Sequence, residues 1–220
     1  MAPSRRFDAV IFDLDGTLLD SVRDIAEAGN HAMRTVGRPT FPVADYNRLA
    51  GQGLPALIRD ALGPDHPDLF DAAIAAHTAH YAEHGTTHTR PFPGVPELLD
   101  TLRAAGLRRA ILSNKPHDAT VDVVARLLPD TPFDAVVGHR PPTPTNPDPT
   151  SALALAQTLG VEPSAVAYIG DTAADMQTAV NAGFHPIGVT WGFRDAAELQ
   201  STGAAELASD IDALRNLLLP

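Results

Sequence analysis

Five short apolar runs divide the chain, and helical patterns lie between most of them. The runs show no regular alternation of polar positions, which is typical of strands buried on both faces of a parallel sheet. They lie at residues 9–12, 110–112, 135–137, 166–169 and 186–189. Helical patterns occur at residues 96–105, 118–128, 150–159 and 173–182. Strands that alternate with helices predict an α/β fold with a doubly wound parallel sheet.

One region departs from this alternation. From about residue 22 to residue 83 the pattern is helical only, and glycine-containing turns divide it. We therefore predict a helical insertion between the first strand and the rest of the sheet. Residues 141–149 are rich in proline and join a predicted strand to a predicted helix, so we expect a stiff loop at the active site.

Polar side chains directly follow three of the predicted strands, where ligands bind in sheets of this kind. They are Asp13 and Asp15 after the first run, Ser113, Asn114 and Lys115 after the second, and Asp171 and Asp175 after the fourth. Any one of them could be a turn former or a helix cap. Their occurrence at the corresponding ends of three strands instead favours a common site. Carboxylates gathered there need a cation, and oxygen ligands favour Mg²⁺.

Composition narrows the class of partner. The chain has 220 residues with 27 acidic and 16 basic side chains, a formal net charge of −11. This balance argues against a nucleic-acid partner or an anionic membrane surface, because phosphate groups select basic proteins. The chain has no cysteine, which excludes disulfides and thiolate sites and fits a reducing compartment. No targeting or membrane-spanning segment is evident, so we expect a soluble cytoplasmic protein, as a monomer or homodimer.

The aspartate motifs resemble those of a known family. Residues 13–18, Ser113 and residues 170–175 are similar to the first, second and fourth motifs of the haloacid dehalogenase (HAD) superfamily. The helical insertion resembles the cap of the phosphoglycolate phosphatase-like branch. The resemblance implies a HAD-like core domain of residues 1–20 and 85–220 and a helical cap domain of residues 21–84.

This resemblance also implies a mechanism. Asp13 would be the nucleophile that forms an aspartyl-phosphate, and Asp15 would protonate the leaving group and then activate water. Mg²⁺ would be held by the Asp13 carboxylate, the Asp15 backbone carbonyl and Asp171, with Asp175 in support. The implied activity is hydrolysis of a small phosphorylated metabolite, with 2-phosphoglycolate as the candidate.

Further residues are implied to bind the phosphate or the rest of the substrate. Ser113 and the Asn114 backbone amide would bind phosphate oxygens, and Lys115 would lie beside them. The remaining candidates are Thr17 in the first motif and Gln52 and Gly53 in a turn of the cap, which resembles the substrate-specificity turn of the branch.

The chain departs from the family pattern at one position. The third motif carries a lysine before Pro-x-Pro, and Asn146 stands there in this chain. Arg140 on the same loop, or Lys115, could supply the missing charge. The substitution leaves open a catalytically impaired binding protein with the same fold. A sugar-phosphate mutase of the β-phosphoglucomutase type is also left open.

Four histidines follow one another at spacings of three or four residues near the end of the insertion. They are His77, His80, His84 and His88. Such spacing could chelate zinc, but we expect an exposed polar helix face.

Overall fold

The computed structural model describes residues 5–219, which form an α/β fold around a six-stranded parallel sheet. Its strands run in the order β5-β4-β1-β6-β7-β8. They are β1 (Ala9–Phe12), β4 (Arg108–Pro116), β5 (Ala135–His139), β6 (Val166–Gly170), β7 (His185–Val189) and β8 (Glu206–Ala208). The predicted fold class and all five predicted strands are confirmed.

Helices cover both faces of this sheet. Those outside the insertion are α5 (Val95–Ala104), α6 (His117–Leu127), α7 (Thr150–Leu159), α8 (Ala173–Ala182), α9 (Ala196–Ser201) and α10 (Ile211–Leu218). Successive side chains of β1 point to opposite faces. Ile11 therefore packs in a hydrophobic cluster that includes residues of α7 and α8, whereas Phe12 packs in one that includes α5 and α10. Burial on both faces explains the uninterrupted apolar runs.

The insertion is helical, as predicted. It contains α1 (Val22–Thr35), α2 (Tyr46–Leu49), α3 (Leu54–Leu62) and α4 (Phe70–His84). Helix α1 packs along α4. The chain leaves the core and returns to it through a short antiparallel pair, β2 (Leu19–Asp20) with β3 (Arg90–Pro91).

A buried carboxylate stabilises the place where the chain leaves the core and returns to it. Asp24, in the first turn of α1, accepts hydrogen bonds from the backbone N–H of His88 at 2.9 Å and of Thr89 at 2.7 Å. The Thr89 hydroxyl also donates to Asp24, at 2.6 Å. Because the accepting carboxylate and the donors lie 64 or 65 residues apart, these bonds hold the two ends of the insertion together.

Some elements were not predicted. Strands β2, β3 and β8 have two or three residues each, too few to show a periodic pattern. Residues 141–149 form an irregular connection between β5 and α7, as expected of a proline-rich loop. Across residues 5–219, no helix has both the length and the apolar character needed to cross a membrane.

Candidate active site

Three buried carboxylates meet at the ends of neighbouring strands. Strands β1 and β6 pair directly, so the residues that follow them lie at the same edge of the sheet. Carboxylate oxygens of Asp13, Asp171 and Asp175 all lie within 4.8 Å of one another. Asp171 is fully buried, and at most 7% of either other residue is exposed. The structure thus brings together three of the four predicted carboxylates.

Burial raises the pKa of each of these carboxyl groups, and neighbouring carboxylates add to the rise for Asp13 and Asp171. Burial raises the pKa of Asp13 well above its usual value, and Asp175, Asp171 and Asp15 raise it further. Burial and the Asp175 charge raise the pKa of Asp171 to about 7. Burial raises the pKa of Asp175 to about 6. Three mutually repelling, oxygen-only donors fit a hard divalent cation such as Mg²⁺, because its charge would offset the repulsion.

Short hydrogen bonds fix the orientation of two of these carboxylates. The Thr17 hydroxyl donates to Asp171 Oδ1 at 2.8 Å, and the Phe193 backbone N–H donates to Asp171 Oδ2 at 2.7 Å. Asp175 Oδ2 accepts from the backbone N–H of Thr172 at 3.0 Å and from its hydroxyl at 2.6 Å, which caps α8. Thr17 therefore acts on Asp171 here. Its predicted contact with substrate stays a prediction.

Gly16 leaves room for this arrangement. A Cβ atom at this position would collide with the Asp171 carboxylate, and the backbone has a φ of +88°. Both observations require glycine, which alone adopts that conformation without strain.

Asp15 is separate from the carboxylate cluster and pairs with Lys115. The Lys115 Nζ atom lies 2.6 Å from Asp15 Oδ2 and 4.6 Å from the centre of the Tyr81 ring. Burial lowers the pKa of Lys115, but the Asp15 carboxylate and the Tyr81 hydroxyl outweigh burial and hold it above its usual value. Within the described residues, Asp15 Oδ1 is buried without a hydrogen-bond partner. Among the described residues, no protein donor therefore competes with a ligand for this oxygen.

Ser113 and Asn114 lie at the end of β4, beside this pair. Both are buried, and the Ser113 hydroxyl accepts a hydrogen bond from the Lys115 backbone N–H at 3.4 Å. The Asn114 side chain donates to the Gly51 carbonyl at 3.1 Å and accepts from the Asn146 backbone N–H at 2.8 Å. Asn114 thus connects the cap turn to the proline-rich loop through its side chain, which the sequence did not predict.

Asn146 is buried and carries no charge to the site. Its side-chain amide donates to the Tyr168 hydroxyl at 3.1 Å. Burial raises the pKa of Tyr168 well above its usual value, and the nearby Asp175 and Asp13 charges raise it further. A neutral amide therefore stands at the motif position where the family resemblance implies a lysine, and it contacts a neutral phenol.

The two predicted replacements for that lysine lie in different places. Arg140 is exposed and does not line the cavity at the site, whereas Lys115 lines it. The structure also reveals Arg194, in the loop after β7. Its Nη2 atom donates to the carbonyls of Arg48 and Ala50, each at 3.1 Å, and its charge lowers the pKa values of Asp171 and Asp175. The sequence feature that could have identified Arg194 is its position in the loop after a predicted strand.

A cavity of about 570 Å³ lies between the strand ends and the helical insertion. Two sets of residues bound it on the sides of the core and the insertion, and residues of α6 complete part of the lining. The core wall consists of Asp13, Asp15, Ser113, Asn114 and Lys115. The cap wall consists of Ile25, Leu54, Leu57, His77, Tyr81 and Ala82. Gly53 also lines the cavity, whereas Gln52 is exposed and does not.

His77 does not lie on an exposed helix face, and that expectation is wrong for this residue. It is buried and its ring stacks on Tyr81 with 5.7 Å between centres. Burial lowers the pKa of His77 to about 3, with smaller effects from Lys115 and His80. His77 is therefore neutral near pH 7. The spacing of the histidines indicates that they share one face of a helix. It does not indicate whether that face lies towards solvent or towards the cavity.

Comparison with known proteins places the chain in a family. Residues 7–183 match the haloacid dehalogenase-like hydrolase family, so the chain belongs to it. A phosphoglycolate phosphatase from Pseudomonas putida is 33% identical over 211 residues, which cover 93% of this chain and 77% of that protein. One from Thiobacillus denitrificans is 35% identical over 191 residues, covering 84% of each chain.

A solved structure agrees with these relatives. The crystal structure of a Lactobacillus delbrueckii subsp. bulgaricus protein, assigned as a phosphoglycolate phosphatase, has a TM-score of 0.91 and 30% identity. The match covers 97% of this chain and 99% of that one. The predicted family and the predicted class of enzyme, a phosphoric monoester hydrolase, are confirmed.

Proposed function

We propose that the chain is a Mg²⁺-dependent phosphatase that hydrolyses a small phosphorylated metabolite through an aspartyl-phosphate at Asp13. The observation that carries this proposal is the buried carboxylate cluster beside the cavity. Three carboxylates with raised pKa values are costly unless a cation binds, and Asp13 is also on the cavity wall. A nucleophile next to a cation site is the arrangement that phosphoryl transfer needs.

The metal would be held by the carboxylates of Asp13, Asp171 and Asp175 and, as the family resemblance implies, by the Asp15 backbone carbonyl. When bound, Mg²⁺ would supply charge neutralisation between the acidic cluster and the phosphoryl oxygens. Ser113 would donate to a phosphoryl oxygen from the end of β4. Lys115 would add positive charge at the same edge.

The bond changes fall to two aspartates. In the first step Asp13 attacks phosphorus, the ester P–O bond breaks, and Asp15, protonated on its unpartnered Oδ1, gives this proton to the leaving alkoxide. In the second step Asp15 takes a proton from water, whose oxygen attacks phosphorus and releases Asp13 and inorganic phosphate. The Lys115 ammonium, 2.6 Å from Asp15 Oδ2, positions the Asp15 side chain for both transfers.

The proposal also assigns a role to each of the two domains. Residues 1–20 and 85–220 form the catalytic domain, and residues 21–84 form a cap that excludes bulk water from the cavity. The substrate is a small molecule. The names of the relatives make 2-phosphoglycolate the first compound to assay. The proposed location of the enzyme is the cytoplasm.

Phosphate release from a panel of phosphomonoesters tests the proposal. We expect release with Mg²⁺, loss of release with EDTA, and a loss on the order of 10³-fold or more in Asp13→Asn. Asp130→Asn, a matched change at an exposed position, is the control and keeps full activity. Activity that survives both EDTA and Asp13→Asn contradicts the proposal. Isomerisation of a hexose 1-phosphate supplied with its bisphosphate would identify a mutase instead.

A further inference from the structure

We propose that the leaving group of the substrate is an uncharged alcohol whose apolar part packs against the cap wall. This inference rests on the proposed phosphatase function and specifies the class of substrate for the same cavity. It sets aside a leaving group that carries a carboxylate, such as glycolate.

The cap wall has no charged side chain near pH 7. Ile25, Leu54, Leu57 and Ala82 are apolar. His77 is neutral because its pKa is about 3. Burial raises the pKa of Tyr81, so its hydroxyl also stays neutral. A carboxylate held against this wall would lose its water and meet only neutral polar groups, the Tyr81 hydroxyl and the His77 ring, rather than a cation, which is unfavourable for a charged group.

The two permanently charged cations that line the cavity are already paired. Lys115 Nζ contacts Asp15 at 2.6 Å, and Arg126 Nε contacts Asp122 at 3.0 Å. Asp118 and Asp122 also line the cavity from α6 and add negative charge. Over the described residues that line it, the cavity therefore presents no unpaired cation to an anionic leaving group.

The size of the cavity indicates a larger alcohol than glycolate. Its volume of about 570 Å³ lies within the range of pockets that bind drug-sized ligands, roughly 300–1,000 Å³. A two-carbon leaving group would leave most of the cap wall without a contact. An alcohol with an apolar chain or ring would cover it, and burial of each methylene group would favour binding.

Matched substrates test the charge and the size separately. The first pair is 2-phosphoglycolate and 2-phosphoglycolamide, which have similar shapes and differ in the charge of the leaving group. We expect the amide to have the higher kcat/KM. The second series is ethyl, butyl and hexyl phosphate, for which we expect kcat/KM to rise about fourfold per buried methylene. A preference for 2-phosphoglycolate over its amide, or no dependence on chain length, overturns the inference.

A charge placed on the cap wall should reverse the preference. Leu54 is half-buried at the start of α3, so a longer polar side chain is accommodated at the cavity surface. We expect Leu54→Lys to raise kcat/KM for 2-phosphoglycolate about tenfold and to lower it for butyl phosphate. Leu54→Met, which keeps the wall neutral, should leave the order of substrates unchanged. The same order in both variants contradicts the inference.

Binding to Asp13→Asn separates this inference from the proposed function. That variant cannot form the phosphoenzyme, so calorimetric titration with the same compounds and Mg²⁺ measures affinity without turnover. Tighter binding of longer alkyl phosphates and of the amide supports the inference even if the wild-type chain releases no phosphate. Tightest binding of 2-phosphoglycolate overturns it even if the chain is an efficient phosphatase.

Discussion

The core wall and the cap wall bound the same cavity but are built in different ways. The core wall comes from two strand ends and is dense in charge, with Asp13, Asp15 and Lys115. The cap wall comes from side chains spread over three helices, α1, α3 and α4, and these side chains are neutral near pH 7. The difference indicates a division of labour in which the core wall handles the phosphoryl group and the cap wall handles the alcohol.

Replacing Lys115 should have the largest effect on the charged side of this comparison. Lys115→Met leaves the partly buried Asp15 carboxylate without its partner, and breaking such a pair costs up to about 3 kcal/mol of folding stability. The rate should fall on the order of a hundredfold, because a preorganised cation is lost. Denaturant unfolding and phosphate release measure both. Lys115→Arg keeps the charge and should recover part of each loss, and equal losses in both variants would show that charge is not the cause.

A new cation at position 146 should strengthen the core wall. Asn146 is buried beside Tyr168, whose pKa is raised in part by Asp175 and Asp13. We expect Asn146→Lys to raise the rate of phosphate release about tenfold, because one preorganised charge is restored. Asn146→Met, similar in length but neutral, is the control and should not raise it. If the lysine variant folds and its rate is unchanged, the missing charge does not limit catalysis.

The stability of the metal-free protein should report the repulsion in the carboxylate cluster. Folding raises the pKa of Asp171 to about 7 and of Asp175 to about 6, so the folded state binds more protons than the unfolded state between roughly pH 4 and 7. The Tm measured in EDTA should therefore fall as pH rises through this window. Mg²⁺ at pH 7 should restore it. Asp171→Asn should flatten the profile, and a Tm that rises over this window contradicts the assignment.

The smallest effect is expected at Arg140. This residue is exposed and lies outside the cavity lining, so Arg140→Ala should leave phosphate release unchanged within about twofold. A large loss of activity would mean that Arg140 reaches the phosphate when substrate binds. In that case the core wall would include the proline-rich loop.

The fold and the core wall could be predicted because local sequence determines them. An apolar run followed directly by Asp13 specifies a buried strand and a carboxylate at its end, and the same holds for Asp171. The cap wall could not be predicted in this way. Whether His77 faces solvent or the cavity depends on how α4 packs against α1, and Leu54 and Leu57 look like ordinary core positions of an amphipathic helix.

Arg194 shows a second limit of the sequence. It follows a strand end, and its Nε donates to the nearby Glu198, but its Nη2 donates to the backbone carbonyls of Arg48 and Ala50 in the insertion. Backbone acceptors have no signature in the sequence. A contact of this kind becomes visible only when the two distant segments are seen together.

The antiparallel pair β2–β3 and the bonds to Asp24 bring the start and the end of the insertion to one place. About seventy intervening residues therefore enter and leave the core at one two-stranded stem, and their remaining polar contacts to the core include those of Gly51, Arg48 and Ala50. A segment of different length or shape could be grafted onto Asp20 and Arg90 without moving Asp13. The cap could therefore be exchanged while the core site is retained, so that the same core residues could act on many different alcohols.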